Sequence, residues 1–99
     1  MPFPLTVTPE AEDDLADAYR WYEQQSAGLG SKFLARVEDV FDRIRRTPEI
    51  HAVTYKTVRQ TLVTRFPYVV CYTFEEAHVY VIAVFHGHRD PSEWMSRVP

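Results

Sequence analysis

The chain has 99 residues, 45% of them apolar and 25% charged, and a formal net charge of −3. That length holds one hydrophobic core and that mixture is globular, so a single domain over residues 1–99 is expected and intrinsic disorder is excluded. The acidic balance removes a global electrostatic case for nucleic-acid binding, the lone Cys71 rules out an internal disulfide, and no run approaches the roughly 18 apolar residues of a membrane span.

With no basic leader ahead of an apolar run, a soluble cytoplasmic protein without a membrane role is expected. Chains of this size bury only about 60–65% of their unfolded surface, so a partner that covers leftover apolar area would matter. The charge is uneven. Residues 1–50 carry six Lys/Arg against ten Asp/Glu, and residues 51–99 carry five against four.

Phe3 to Thr8 alternates Leu5 and Val7 against Thr6 and Thr8, which predicts a first strand. Thr8-Pro9 then opens a helix, with Thr8 as cap and Pro9 where no N–H is needed. Glu10, Glu12, Asp13 and Asp14 sit at the positive end of its dipole. Ala11, Leu15, Ala18 and Tyr22 form its apolar stripe, bordered by Tyr19 and Trp21. Gly28 and Gly30 follow its expected end near Ser26. A second helix, Ser31 to Arg46, presents Phe33, Leu34, Val37, Val40, Phe41 and Ile44 on one face and closes before Thr47-Pro48. The two make an antiparallel hairpin.

Glu49 to Lys56 reads as a loop. Three strands follow. Thr57 to Arg65 sets Val58, Gln60, Leu62 and Thr64 against Arg59, Thr61, Val63 and Arg65. Tyr68 to Phe74 puts Tyr68, Val70, Tyr72 and Phe74 on one face, and His78 to His86 is apolar on both faces, as a central strand is. Asp90-Pro91 begins a short helical turn, after which Trp94 is expected to pack back on the sheet end. The predicted architecture is α+β: a helical hairpin on one face of a mainly antiparallel four-stranded sheet, in the order β-α-α-β-β-β. The opposite sheet face has no element to cover it and would be wet or met by a partner.

Chemistry is sparse. His86-Gly87-His88 points two imidazoles the same way on an extended chain, but no clear third ligand accompanies them, so no metal is assigned. Cys71 lies mid-strand as a small buried hydrophobe. No Gly-rich loop cradles a phosphate and no cofactor is assigned. The carboxylate pairs Asp13-Asp14 and Glu75-Glu76 suit a helix start and a turn. The remaining candidate is a polar, partly cationic patch of Arg59, Arg65, Tyr68, Tyr72, His86, His88 and Arg89. It would hold a phosphate backbone or meet an acidic peptide. No catalytic residue is assigned.

The element order, the Thr8-Pro9-Glu10-Ala11-Glu12-Asp13-Asp14-Leu15 helix opening and the Arg65-Phe66-Pro67-Tyr68 joint fit one family. So do Val70-Cys71-Tyr72 and the ending Val84-Phe85-His86-Gly87-His88-Arg89-Asp90-Pro91-Ser92-Glu93-Trp94. The chain resembles the RelE/ParE superfamily of type II toxins, in its ParE-like branch of plasmid stabilisation proteins, and the likeness covers nearly the whole chain. The resemblance implies a toxin neutralised by a cognate antitoxin in a hetero-oligomer, and one that poisons DNA gyrase without chemistry of its own. The alternative it implies is a RelE-like ribosome-dependent mRNA endonuclease. Against that pattern, Arg59 and Arg65 match sheet arginines and His88 or Arg89 matches a last-strand base. Trp94, however, stands where RelE-like nucleases usually carry a proton-exchanging Tyr.

Overall fold

A computed structural model describes residues 2–88 and 91–98. Its elements are β1 (Leu5–Val7), α1 (Pro9–Gln25), α2 (Leu29–Arg46), β2 (Val53–Tyr55), β3 (Val58–Leu62), β4 (Tyr68–Glu75), β5 (His78–His86) and α3 (Ser92–Met95). Thr8 does two jobs at the first junction. Its hydroxyl accepts from the Ala11 N–H as the cap of α1, and its backbone N–H donates to Val81 O at 3.0 Å, continuing the pairing of β1 with β5.

The turn into α2 depends on two glycines. Gly28 has φ +86, a conformation that side chains resist. A Cβ on Gly30 would stand 2.7 Å from the Tyr19 carbonyl oxygen, so α2 can approach α1 only without one. Glu23 of α1 accepts from the N–H groups of Gly28 and Gly30, satisfying donors that a helix start leaves open. Gly28 takes the residue before the helix, and α2 therefore begins at Leu29, two residues ahead of the sequence expectation.

The sheet is mixed, in the order β1-β5-β4-β3-β2, with β1 parallel to β5 and the rest an antiparallel meander. It has five strands where four were expected. The extra one, β2, falls within the presumed loop 49–56. It is only three residues long, too short to show alternation, and its turn carries no Gly, Asn or Pro signal, since Lys56 itself takes φ +51. At the other end of the hairpin, β3 stops at Leu62 instead of running to Arg65. Val63 still donates to Tyr68 O at 2.9 Å, but Arg65 turns the chain with φ +70.

Two cores flank the sheet. The hairpin side gathers Tyr22, Phe33, Val37, Val40, Ile44, Val70, Tyr72, Val79 and Val81 among others. The second face was expected to be bare, and it is not. Trp94 of α3, 3% exposed, joins Val58, Cys71 and Ala83 there, stacking on Phe85 at 5.8 Å and edge-on to Tyr55 at 5.7 Å. A four-residue helix shows no stripe in sequence, which is why its covering role was not anticipated, although the packing of Trp94 was. Among the described residues, no helix is long and apolar enough to cross a membrane.

Candidate functional site

The sheet edge next to α1 is where the fold leaves an opening. β1 pairs with β5 only as far as Val81. There β5 makes a bulge, because Cys71 faces Ala83 while Tyr72 faces Val81, leaving Ile82 as the extra residue. The backbone beyond the bulge has no strand beside it on that side. Asp14 of α1 accepts the Val84 N–H at 3.0 Å. Arg97, from beyond α3, donates to Ile82 O at 2.9 Å and makes two bonds to the Asp14 carboxylate, at 2.8 and 3.1 Å. The Asp14 partner raises the pKa of Arg97 further. Together the two side chains clip helix, bulge and C-terminal segment into one unit.

Past this clip, α1 and the ends of β4 and β5 enclose a groove of about 640 Å³. Ala18, Tyr22, Val84, Pro67 and Tyr68 supply its apolar lining, Asp14 and Asp17 one rim, and His86 and His88 the other. Trp21 stands beside it, 54% exposed and edge-on to Tyr22 at 5.0 Å. Tyr22 anchors the floor, with Phe33, Phe66 and Tyr68 at ring distances of 5.0 to 6.0 Å. Burial, and then the neighbouring Tyr68, push the Tyr22 phenol pKa up. Tyr68 also meets the His86 ring at 5.5 Å. His86 Nδ1 accepts the His88 N–H at 3.1 Å, so in this geometry the neutral ring carries its proton on Nε2.

The predicted patch thus divides. Tyr68, His86 and His88 come together at the groove. Arg59 does not join them: its Nη1 donates to His51 O at 2.6 Å and Glu49 O at 3.2 Å, fastening the loop ahead of β2. Tyr72 is buried and donates to Pro48 O at 2.7 Å on the same loop. Burial pushes its phenol up to about 12, against a smaller lowering by Arg59, so it stays protonated. Arg65 is exposed at the turn after β3, in a different groove. Arg89 lies outside the described residues. Burial likewise pushes the Cys71 thiol up to about 12, which keeps it an inert core residue. Among the described residues, no group of three His, Cys, Asp or Glu side chains is placed to hold a metal.

Sequence reasoning missed Asp14, Trp21 and Arg97 as parts of this site. The signal for the first two was present. Asp14 and Trp21 fall at helical spacing with Ala11 and Ala18, so a carboxylate and an exposed indole share the buried stripe. Arg97 carries no such pattern.

The family model for "ParE toxin of type II toxin-antitoxin system, parDE" matches residues 5–91. The chain belongs to the ParE toxin family. Similar solved structures include one described as the chromosomal ParDE toxin–antitoxin system from P. aeruginosa, at 17% identity and a TM-score of 0.64, covering 85% of this chain and 95% of that one. Another is the RelBE2 toxin–antitoxin complex from Mycobacterium tuberculosis, at 18% identity and a TM-score of 0.61, covering 87% and 99%. A mutant of the E. coli toxin RelE in the free state aligns over 100% of both chains at 16% identity, with a TM-score of 0.75. At those identities the likeness to all three is one of fold. Comparison with curated protein sequences gave no match.

Proposed function

We propose that this ParE-family toxin acts in the cytoplasm as a protein-binding poison of DNA gyrase, held inactive by a cognate antitoxin, with the α1–β5 groove as its working surface. The observation that carries this reading is the make-up of the groove. It joins an apolar floor and an exposed Trp21 to a helix that bears six Asp/Glu and one Lys/Arg. Such a surface suits a protein chain and repels a phosphodiester.

The alternative, RelE-like mRNA cleavage, needs a cation and a proton-exchanging group converging on the scissile phosphate. Here Arg59 and Tyr72 are spent on backbone carbonyls of one loop, and Trp94 is buried in the second core. His86 and His88 share their groove with Asp14 and Asp17 of α1.

Expression of the chain alone in a bacterial host tests the proposal. Growth arrest with a DNA-damage response and intact mRNA is expected. Purified protein should inhibit gyrase supercoiling. Codon-linked mRNA cuts in translating ribosomes would overturn the gyrase reading and favour the nuclease. Trp21→Ala and His88→Ala should each relieve the arrest at equal expression while leaving thermal unfolding within a few degrees of wild type. Full toxicity in both variants would move the working surface elsewhere.

A further inference from the structure

The sheet has a second open edge, far from the first in chemistry. β2 pairs with β3 no further than Arg59, so Gln60 to Leu62 has no strand on its outer side. Antiparallel pairing alternates the direction of backbone groups. Val63 donates inward to Tyr68 O, so Leu62 turns its own N–H and C=O outward. The open end of β5 is closed by Asp14 and Arg97. The lead-in to β1 is bonded to α2, with Phe3 N–H on Arg45 O and Arg45 Nε–H on Phe3 O. At β3 the Gln60 amide donates to the Cys71 sulfur at 3.5 Å and so does not cover the outer edge. An unguarded edge of this kind invites a further strand.

The surroundings say what kind. Leu62 is 67% exposed and Ile50 69% exposed, and both border a shallow groove with Arg43 and Arg65. Segment 43–65 holds six Lys/Arg and a single Asp/Glu, Glu49. Arg43 and Arg65 are exposed, and neither meets a carboxylate among the described residues. His51 is the one ring among the residues that line the groove and is itself half-buried, so the groove offers no run of exposed aromatic rings of the kind on which successive bases of a single strand stack. Unpaired backbone, exposed aliphatic side chains and flanking guanidinium groups match the requirements of an extended peptide carrying alternate carboxylates.

We propose that the outer edge of β3 at Gln60–Leu62 is a docking site for an extended acidic segment of a partner protein. The segment adds a strand beside β3. Its apolar side chains contact Leu62 and Ile50, and its carboxylates meet Arg43 and Arg65. This site does not depend on gyrase being the target, nor on the α1 groove being the working surface.

The probe is a capped nine-residue peptide of alternating glutamate and valine, with a lysine-for-glutamate counterpart, titrated into the full chain and followed by amide NMR and hydrogen exchange. The acidic peptide is expected to shift residues 60–65 saturably and to slow exchange of the Leu62 amide. The lysine peptide, and the acidic peptide on an Arg43→Glu/Arg65→Glu variant, should bind at least tenfold more weakly. Should that variant fail to fold, Leu62→Lys at an exposed position carries the same expectation. The proposal is overturned by absence of saturable binding at millimolar peptide, by shifts centred on Trp21, or by equal affinity for the lysine peptide. It is equally overturned if a single-stranded RNA oligonucleotide shifts the same residues with comparable affinity, or if these residues shift with protein concentration alone.

Discussion

The clip formed by Asp14 and Arg97 allows a quantitative prediction. The side chains are 14% and 23% exposed, between the two regimes for which magnitudes are known. Exposed pairs contribute about 0.2–1 kcal/mol, and removing one partner of a fully buried pair costs about 3–5 kcal/mol, which puts this pair near 2 kcal/mol. Asp14→Ala also strips the Val84 N–H of a charged acceptor, which adds about 1 kcal/mol or more. Asp14→Ala is therefore expected to cost about 3 kcal/mol, Arg97→Ala about 2, and the double variant about 3, a coupling energy near 2 kcal/mol. At about 2.1 cal/mol/K of unfolding entropy per residue, the Asp14 variant would lose roughly 15 °C in Tm. Urea unfolding followed by tryptophan fluorescence measures all four corners of the cycle, since Trp94 is buried and changes environment on unfolding. A coupling energy below about 0.5 kcal/mol would refute the clip, showing that water already satisfies both groups.

Three further outcomes follow from contacts elsewhere. Tyr72→Phe removes the bond to Pro48 O and should cost about 1–2 kcal/mol in urea unfolding; an unchanged midpoint would mean the loop 48–51 is held by Arg59 alone. The hairpin between β4 and β5 places Glu76 at φ +51 and Ala77 at φ +61, so Glu76→Asn with Ala77→Gly should stabilise by about 1 kcal/mol or more, read as a rise in Tm. The pKa of His51 is lowered, first by burial and then by Arg43 and Arg59. The unfolded chain therefore binds more protons, and stability should fall as pH drops through about 6.5, the unfolded histidine value. His51→Gln should flatten that part of the stability profile, and a slope identical to wild type would exclude His51 as its source.

The helical hairpin and the central strands were legible because their patterns extend over many residues. Ala11, Ala18 and Tyr22 on α1, and Phe33, Val37, Val40 and Ile44 on α2, repeat the helical period and all are buried. β5 was readable as central because both of its faces are apolar, and it pairs on both sides. The misses came where tertiary structure overrules local signals. Lys56 and Arg65 adopt positive φ without being Gly or Asn, so neither end of the β2–β3 hairpin announced itself. The candidate patch was read from strand alternation, which gives the face of a side chain but not its partner. Alternation grouped Arg59 with Val63 and Tyr72 with Val70, and in the structure Val63, Val70 and Tyr72 lie in the hairpin-side core, with Arg59 paired to Tyr72. It gave no sign that both would bond to one loop, or that a carboxylate of α1 would supply the other wall of the groove around His86.

The distribution of charge bears on how the two proposed surfaces of such a small domain would divide their partners. A net charge of −3 averages two opposite surfaces. One is the acidic α1 beside the β5 edge, and the other is the basic segment that borders the β3 edge. Strands stand about 4.8 Å apart, so with β4 between them the outer edges of β5 and β3 are separated by roughly 14 Å. That exceeds the screening length of about 8 Å at physiological ionic strength, and each surface presents its own field to an approaching protein. Under the two proposals, a partner with a basic apolar segment would be steered to α1, and one with an acidic extended segment to β3. Added salt weakens both encounters, whereas reversing charge at Arg43 and Arg65 weakens only the second. Simultaneous occupation is then a matter of whether one partner is long enough to cross the sheet.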